Sequence, residues 1–261
     1  MKRFMVLCMV ALLALTTLVA GCGGGSGKKD EKADAKTEKV LRIGTNADFA
    51  PFEFQDVNGK AYEGFDMDLI RALAKEMGYK ADIQNINFDG LIPALEAGNL
   101  DVIISGMTIN DERKKKVDFS DPYYKSGLSI IIKKSDTSIK KFSDLKGKKV
   151  AVQIGTTSAM EVRKMEGVEV KEFNSSADTF MELKAGGVDA VVNDRPVNDY
   201  YIAKSGVTDV RRLEELLTSE DYGIAVSKKN TELTKQVNAA LKKLHDNGEY
   251  DKIFKKWFGN G

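Results

Sequence analysis

Apolar and polar positions follow two rhythms along the chain. Val40–Thr45 (VLRIGT) alternates with a period of two, as a half-buried strand does. Phe65–Met77 keeps the helical period instead: Leu69, Leu73 and Met77 recur every four residues, with Ile70 and Ala74 beside them. Asp66 stands where an N-cap belongs, and Gly78 ends the run. Gly59-Lys60 fits a hairpin turn between Phe52–Asp56 and Ala61–Glu63. The same patterns predict strands at Ala81–Ile86, Val102–Ile104, Gly127–Lys133, Val150–Gln153, Glu169–Phe173, Ala190–Val192 and Tyr222–Val226. They predict helices at Leu91–Ala97, Ala159–Met165 (capped by Thr157-Ser158), Ala177–Ala185, Val197–Lys204, Thr231–His245 and Tyr250–Phe258. Asp118–Tyr123 reads as an extended turn. Strands alternating with helices predict an α/β body with largely parallel sheets.

One stretch occurs twice. Ala94–Gly106 (ALEAGNLDVIISG) is echoed by Glu182–Asp194 (ELKAGGVDAVVND): helix end, glycine stop, apolar-Asp, three apolar residues, polar pair. The aspartates, Asp101 and Asp189, lie 88 positions apart, too far for a solenoid repeat. The spacing predicts two similar lobes, each with a strand that ends in a polar loop. Ligands of open α/β sheets sit beyond such strand ends. Ser105-Gly106 and Asn193-Asp194 are those ends, and facing lobes would set Arg113 and Asp194 across one cleft. A cation facing an anion suits a zwitterion. Arg113, early in a helix after a small polar turn, offers a planar fork for a carboxylate; alone it reads rather as a surface partner of Glu112 or Asp111, and the surrounding chain reverses that. Asp194 alone reads equally as an N-cap for the helix that Pro196 opens.

The chain begins with a separate segment. Lys2 and Arg3 precede the apolar Phe4–Ala20, and Val19-Ala20-Gly21-Cys22 closes it, the pattern of a secretory signal over residues 1–21. Residues 22–39, Gly/Ser-rich and then of mixed charge, cannot bury enough apolar surface to fold. As a coil they span roughly 20–25 Å. Lys and Arg total 40 against 39 Asp and Glu. That near-neutral balance argues against a nucleic-acid partner. The one His, His245, falls in a C-terminal helix far in sequence from the cleft motifs, so no Ser-His-Asp or Cys-His set can be assembled there, and one His with only Cys22 beyond the signal makes a metal site a poor reading.

Several motifs together resemble a known family: RIGTNADFAPFEF, GFDMDL, FDGLIPAL, ISGMTINDERKKKVDFSDPYY, LKGKKVAVQIGTT, VVNDRPV and KKWFG. They are similar to those of the solute-binding proteins of polar amino-acid ABC transporters, over essentially all of Val40–Gly261. The resemblance implies a two-lobed α/β type II periplasmic-binding fold, its hinge-linked lobes each with a mainly parallel sheet flanked by helices. Lobe 1 would comprise 40–126 and 223–261, and lobe 2 would comprise 127–222. It implies no enzyme activity and no cofactor; the partners would be a free amino acid and a membrane permease, and the protein a monomer. Val-Ala-Gly-Cys resembles a lipoprotein box, which would make Cys22 the lipidated first residue of an extracytoplasmic, membrane-anchored protein.

By the same resemblance Arg113 would clamp the ligand α-carboxylate, helped by Thr108, the Ser105/Gly106 backbone and Thr157. Asp194 would receive the α-ammonium. Phe49 and Phe88 would flank the ligand side chain, with Asn46 and Gln153 at its far end. Basic-amino-acid binders of this family often carry Asp where this chain has Asn46. Two neutral amides can each donate and accept, which suits a glutamine-like side chain. Stacking on aromatic faces leaves Arg, Lys or His as the alternative. A dehydratase on the same scaffold is the rival from another class.

Overall fold

The computed structural model describes residues 39–204 and 206–259. The signal segment, Cys22 and the tether up to residue 38 lie outside the described residues.

Two five-stranded sheets organise the body. The first runs in the order Tyr79–Asn85, Lys39–Thr45, Val102–Ile103, Ala225–Ser227, Val117–Phe119. The second runs Glu169–Phe173, Lys149–Gln153, Ala190–Asp194, Leu128–Lys133, Val210–Arg212. In each, the first three strands are parallel and the last two pair antiparallel. The sheets are therefore mixed, not mainly parallel as the alternation of strands and helices predicts. The reason lies at the crossing between lobes. Tyr124–Ser126 and Glu220–Tyr222 form an antiparallel ribbon. Leu128–Lys133 and Ala225–Ser227 each follow a ribbon strand directly. Parallel pairing needs a crossover connection, usually a helix, and neither strand has one before it.

The repeated stretch occupies equivalent places in the two sheets. Asp101 and Asp189 each donate their N–H to the neighbouring strand, to the carbonyls of Arg42 and Lys149, both at 2.8 Å. Their Oδ2 atoms accept the N–H of the same two residues, again at 2.8 Å. Each aspartate thus registers the central strand against its neighbour, so the polar ends of both strands reach the same level.

Helices Phe65–Glu76, Phe88–Glu96 and Thr231–Asp246 cover the first sheet, Glu249–Phe258 packs on the first and last of these, and Thr157–Arg163, Ser176–Ala185 and Arg195–Lys204 cover the second. Phe65–Glu76 buries Phe65, Met67, Leu69, Ile70, Leu73 and Ala74, the face that the four-residue period marks. Its cap differs from the prediction. Gly64 is the N-cap, at φ 129°, where a Cβ would stand 1.9 Å from the Phe52 carbonyl oxygen. Only glycine fits that approach. Asp66 lies inside the helix and is fully buried. Two edge strands, Val117–Phe119 and Val210–Arg212, fall where no strand is predicted, and the predicted Tyr222–Val226 divides into Glu220–Tyr222 and Ala225–Ser227.

Candidate functional site

The ten residues that the sequence singles out line one small cavity, and Glu53 and Thr156 complete its wall. Both sheets contribute, so the cavity lies between the lobes.

Arg113 forms one side. Its short helix, Asp111–Lys114, is capped by Asn110, whose side chain accepts the Arg113 N–H at 2.8 Å. Arg113 is 4% exposed. Its guanidinium donates to the Thr108 carbonyl at 2.8 Å and across the cleft to the Gly155 carbonyl at 3.1 Å, and lies 5.3 Å from the centre of the Phe88 ring. Burial pushes its pKa down to about 10, against the pull of Glu220 and Asp194. It remains a cation at neutral pH. Gly106, at φ 51°, brings the backbone against Phe49, whose ring would stand 2.8 Å from a Cβ there.

Asp194 ends the central strand of the second sheet and is buried. Its Oδ1 accepts the hydroxyls of Ser126 at 2.9 Å and Tyr222 at 2.5 Å, one from each ribbon strand. Burial and the nearby Glu220 raise its pKa to about 7, although Tyr222, Ser126 and Arg113 act the other way. A cation and a carboxyl group that titrates near neutrality therefore stand in one buried cavity.

Asn46 and Gln153 meet at the wall. Gln153 Nε2 donates to Asn46 Oδ1 at 2.7 Å and to the Asn174 carbonyl at 3.1 Å. A backbone carbonyl only accepts, so it fixes the Gln153 amide with nitrogen toward it, and that in turn fixes Asn46 with oxygen toward Gln153. The pair retains one amide donor, Asn46 Nδ2, and one amide acceptor, Gln153 Oε1.

Thr108 and Thr157 both donate their hydroxyls to Glu220 Oε2, at 2.5 and 3.0 Å. Thr218 binds the other oxygen at 3.0 Å. Glu220, invisible to sequence patterning, thus ties one threonine from each side of the cleft. The helix cap is Thr156, one residue before the predicted Thr157-Ser158; its oxygen accepts the Ala159 N–H at 3.3 Å and its hydroxyl donates to the Gln153 carbonyl at 2.7 Å. Thr157 is then the first helical residue, with its hydroxyl free to reach Glu220. Glu53 is also unanticipated. Its only sequence cue is an acid between Phe52 and Phe54 in a strand, which turns it inward.

The sequence pattern of bacterial extracellular solute-binding proteins, family 3, matches residues 41–260. The chain belongs to this family. Relatives bind amino acids. A probable histidine-binding protein of Neisseria gonorrhoeae is 38% identical over 256 residues, covering 96% of this chain and 94% of the relative. The ABC transporter glutamine-binding protein GlnH of Bacillus subtilis is 36% identical over 274 residues, covering 98% and 97%. An ancestral arginine-binding protein, solved with arginine and with glutamine, superposes at a TM-score of 0.82 with 50% identity, over 85% of this chain and 99% of that one. These family members are two-lobed receptors, in accord with the paired sheets here.

Proposed function

We propose that this protein captures one polar amino acid, with a glutamine-like side chain preferred, and presents it to the permease of an ABC importer from outside the membrane. The observation that carries the ligand class is the residual valence of the amide pair. One donor and one acceptor complement a primary carboxamide, whereas a guanidinium offers donors only and would leave Asn46 Nδ2 unmatched. A buried, unmatched polar group costs about 1–3 kcal/mol. Arg113 takes the α-carboxylate, with Thr108, Thr157 and the Ser105-Gly106 backbone beside it. Asp194 takes the α-ammonium.

A basic ligand is the second reading. Phe49 and Phe88 offer aromatic faces to a cation, and the ancestral arginine-binding relative is solved with both arginine and glutamine.

Residues 40–126 and 223–261 form one lobe in this reading and 127–222 the other. The ribbon Tyr124–Ser126/Glu220–Tyr222 is the hinge, and rotation about it opens the cavity. The receptor works as a monomer without enzyme activity, tethered through lipidated Cys22. Calorimetric titration of ligand-stripped protein tests the ligand class. Glutamine is expected to bind at least tenfold more tightly than arginine, and Asn46→Asp to shift that ratio toward arginine. Tighter binding of arginine by the wild type would transfer the conclusion to the basic reading.

A further inference from the structure

At the cavity wall Glu53 comes together with Asp66, and among the described residues neither carboxyl group has an ion-pair partner. Glu53 and Asp66 are both fully buried, hold the adjacent residues Ser105 and Gly106, and lie close enough for each to bear on the other's ionisation. Each has one oxygen occupied. Glu53 Oε1 accepts the Ser105 hydroxyl at 2.9 Å. Asp66 Oδ2 accepts the Gly106 N–H at 2.9 Å and the Tyr123 hydroxyl at 2.7 Å. The other two oxygens, Glu53 Oε2 and Asp66 Oδ1, are buried and have no donor. The titratable groups that bear on the pair are Asp48, Tyr123 and Tyr250, from a strand, a loop and a helix; none is cationic.

Two bare carboxylates this close and away from water would repel strongly, while one proton between them satisfies both orphan oxygens. We infer that Glu53 and Asp66 share a single proton and act together as a positioning unit for the binding loop. One arm holds Gly106. The other holds Ser105, whose oxygen accepts the Asn46 N–H at 3.0 Å. The pair therefore fixes both the turn beside Arg113 and the residue that reads the far end of the ligand. Burial raises Glu53 well above the usual carboxyl range and Asp66 to about 6, consistent with Glu53 carrying the proton and Asp66 the charge.

Glu53→Gln keeps an acceptor for Ser105 and a donor for Asp66 but removes the exchangeable acid. Infrared spectra at pH 8.5, above the titration of Asp194, are expected to show a protonated carboxyl stretch in the wild type that Glu53→Gln lacks. Both carboxyls are ionised in the unfolded chain above about pH 4.5, so the folded state holds an extra proton. Stability from the pair is complete below that pH and is lost as pH rises. The urea midpoint of Glu53→Gln should therefore change less between pH 5 and 8 than that of the wild type. Glu53→Ala should weaken glutamine binding more than tenfold, and Glu53→Gln should recover most of that loss. This last comparison rests on the proposed amino-acid function; the infrared and stability comparisons do not. No protonated carboxyl in the wild type, or the same pH slope in both proteins, would overturn the shared proton. Equal weakening in the two variants would overturn the positioning role.

Discussion

Arg113 and Asp194 are the charged poles of the cavity, and each shows what burial does to a charge. Truncating one partner of a buried charge pair costs about 2–5 kcal/mol. Arg113→Ala should thus lose at least about thirtyfold in affinity for any amino acid by calorimetry, with an unchanged circular dichroism spectrum. Asp194 titrates near 7, so its proton competes with the ligand ammonium. Affinity should fall as pH drops from 8 to 6, and binding at pH 7 should release a fraction of a proton, measurable from heats in buffers of different ionisation enthalpy. For the unliganded protein the sign is opposite. A raised folded-state pKa makes Asp194's stabilising contribution complete below about pH 3.8 and progressively lost as pH rises through about 7. Glu220 acts through Thr108 and Thr157. Replacing it with alanine removes the acceptor for both hydroxyls and should weaken binding by about 1–3 kcal/mol, read as a five- to hundredfold rise in Kd.

At the scale of elements, contacts across the cleft would set how long the closed form lasts in the proposed hinge reading. Asp48, from the small sheet of Asp48–Phe49, Glu53–Gln55 and Tyr62–Glu63, accepts the Ser176 N–H at 3.1 Å at the start of helix Ser176–Ala185 in the other lobe. A carboxylate on a helix N-terminus is worth about 1 kcal/mol. Asp48→Ala should raise the ligand dissociation rate about fivefold in stopped-flow fluorescence and leave the association rate nearly unchanged. The elements themselves were mostly legible. Glu169–Phe173 is found to the residue because Val170 and Phe173 stand out from charged neighbours. The repeat around Asp101 and Asp189 located the central strand of each sheet. Val117–Phe119 and Val210–Arg212 were not legible: both are three residues long, carry charges, and exist only through pairing with Ala225–Ser227 and Leu128–Lys133. Asp66 looked like a cap because nothing in the local pattern says that Gly106 and Tyr123 will arrive over it.

For the whole molecule, the motifs located the cavity but not its wiring. Arg113, Asp194, Asn46 and Gln153 sit in recognisable stretches, so their meeting could be anticipated. Glu220 meets Thr108 across 112 residues of chain, and Glu53 meets Asp66 across a strand and a helix start; neither contact has a periodic or spacing cue. Antiparallel entry from the ribbon likewise depends on how the lobes join, which periodicity does not encode. The central claim is that a free amino acid lies between the lobes with its carboxylate on Arg113, its ammonium on Asp194 and its side-chain amide on Asn46 and Gln153. A crystal structure of the ligand-stripped protein grown with glutamine tests it most directly. The account predicts glutamine in that cavity and in that orientation, with Asn46 Nδ2 donating to the ligand amide oxygen and Gln153 Oε1 accepting its amide N–H. Glutamine bound elsewhere, or reversed with its side chain on Arg113, would contradict it.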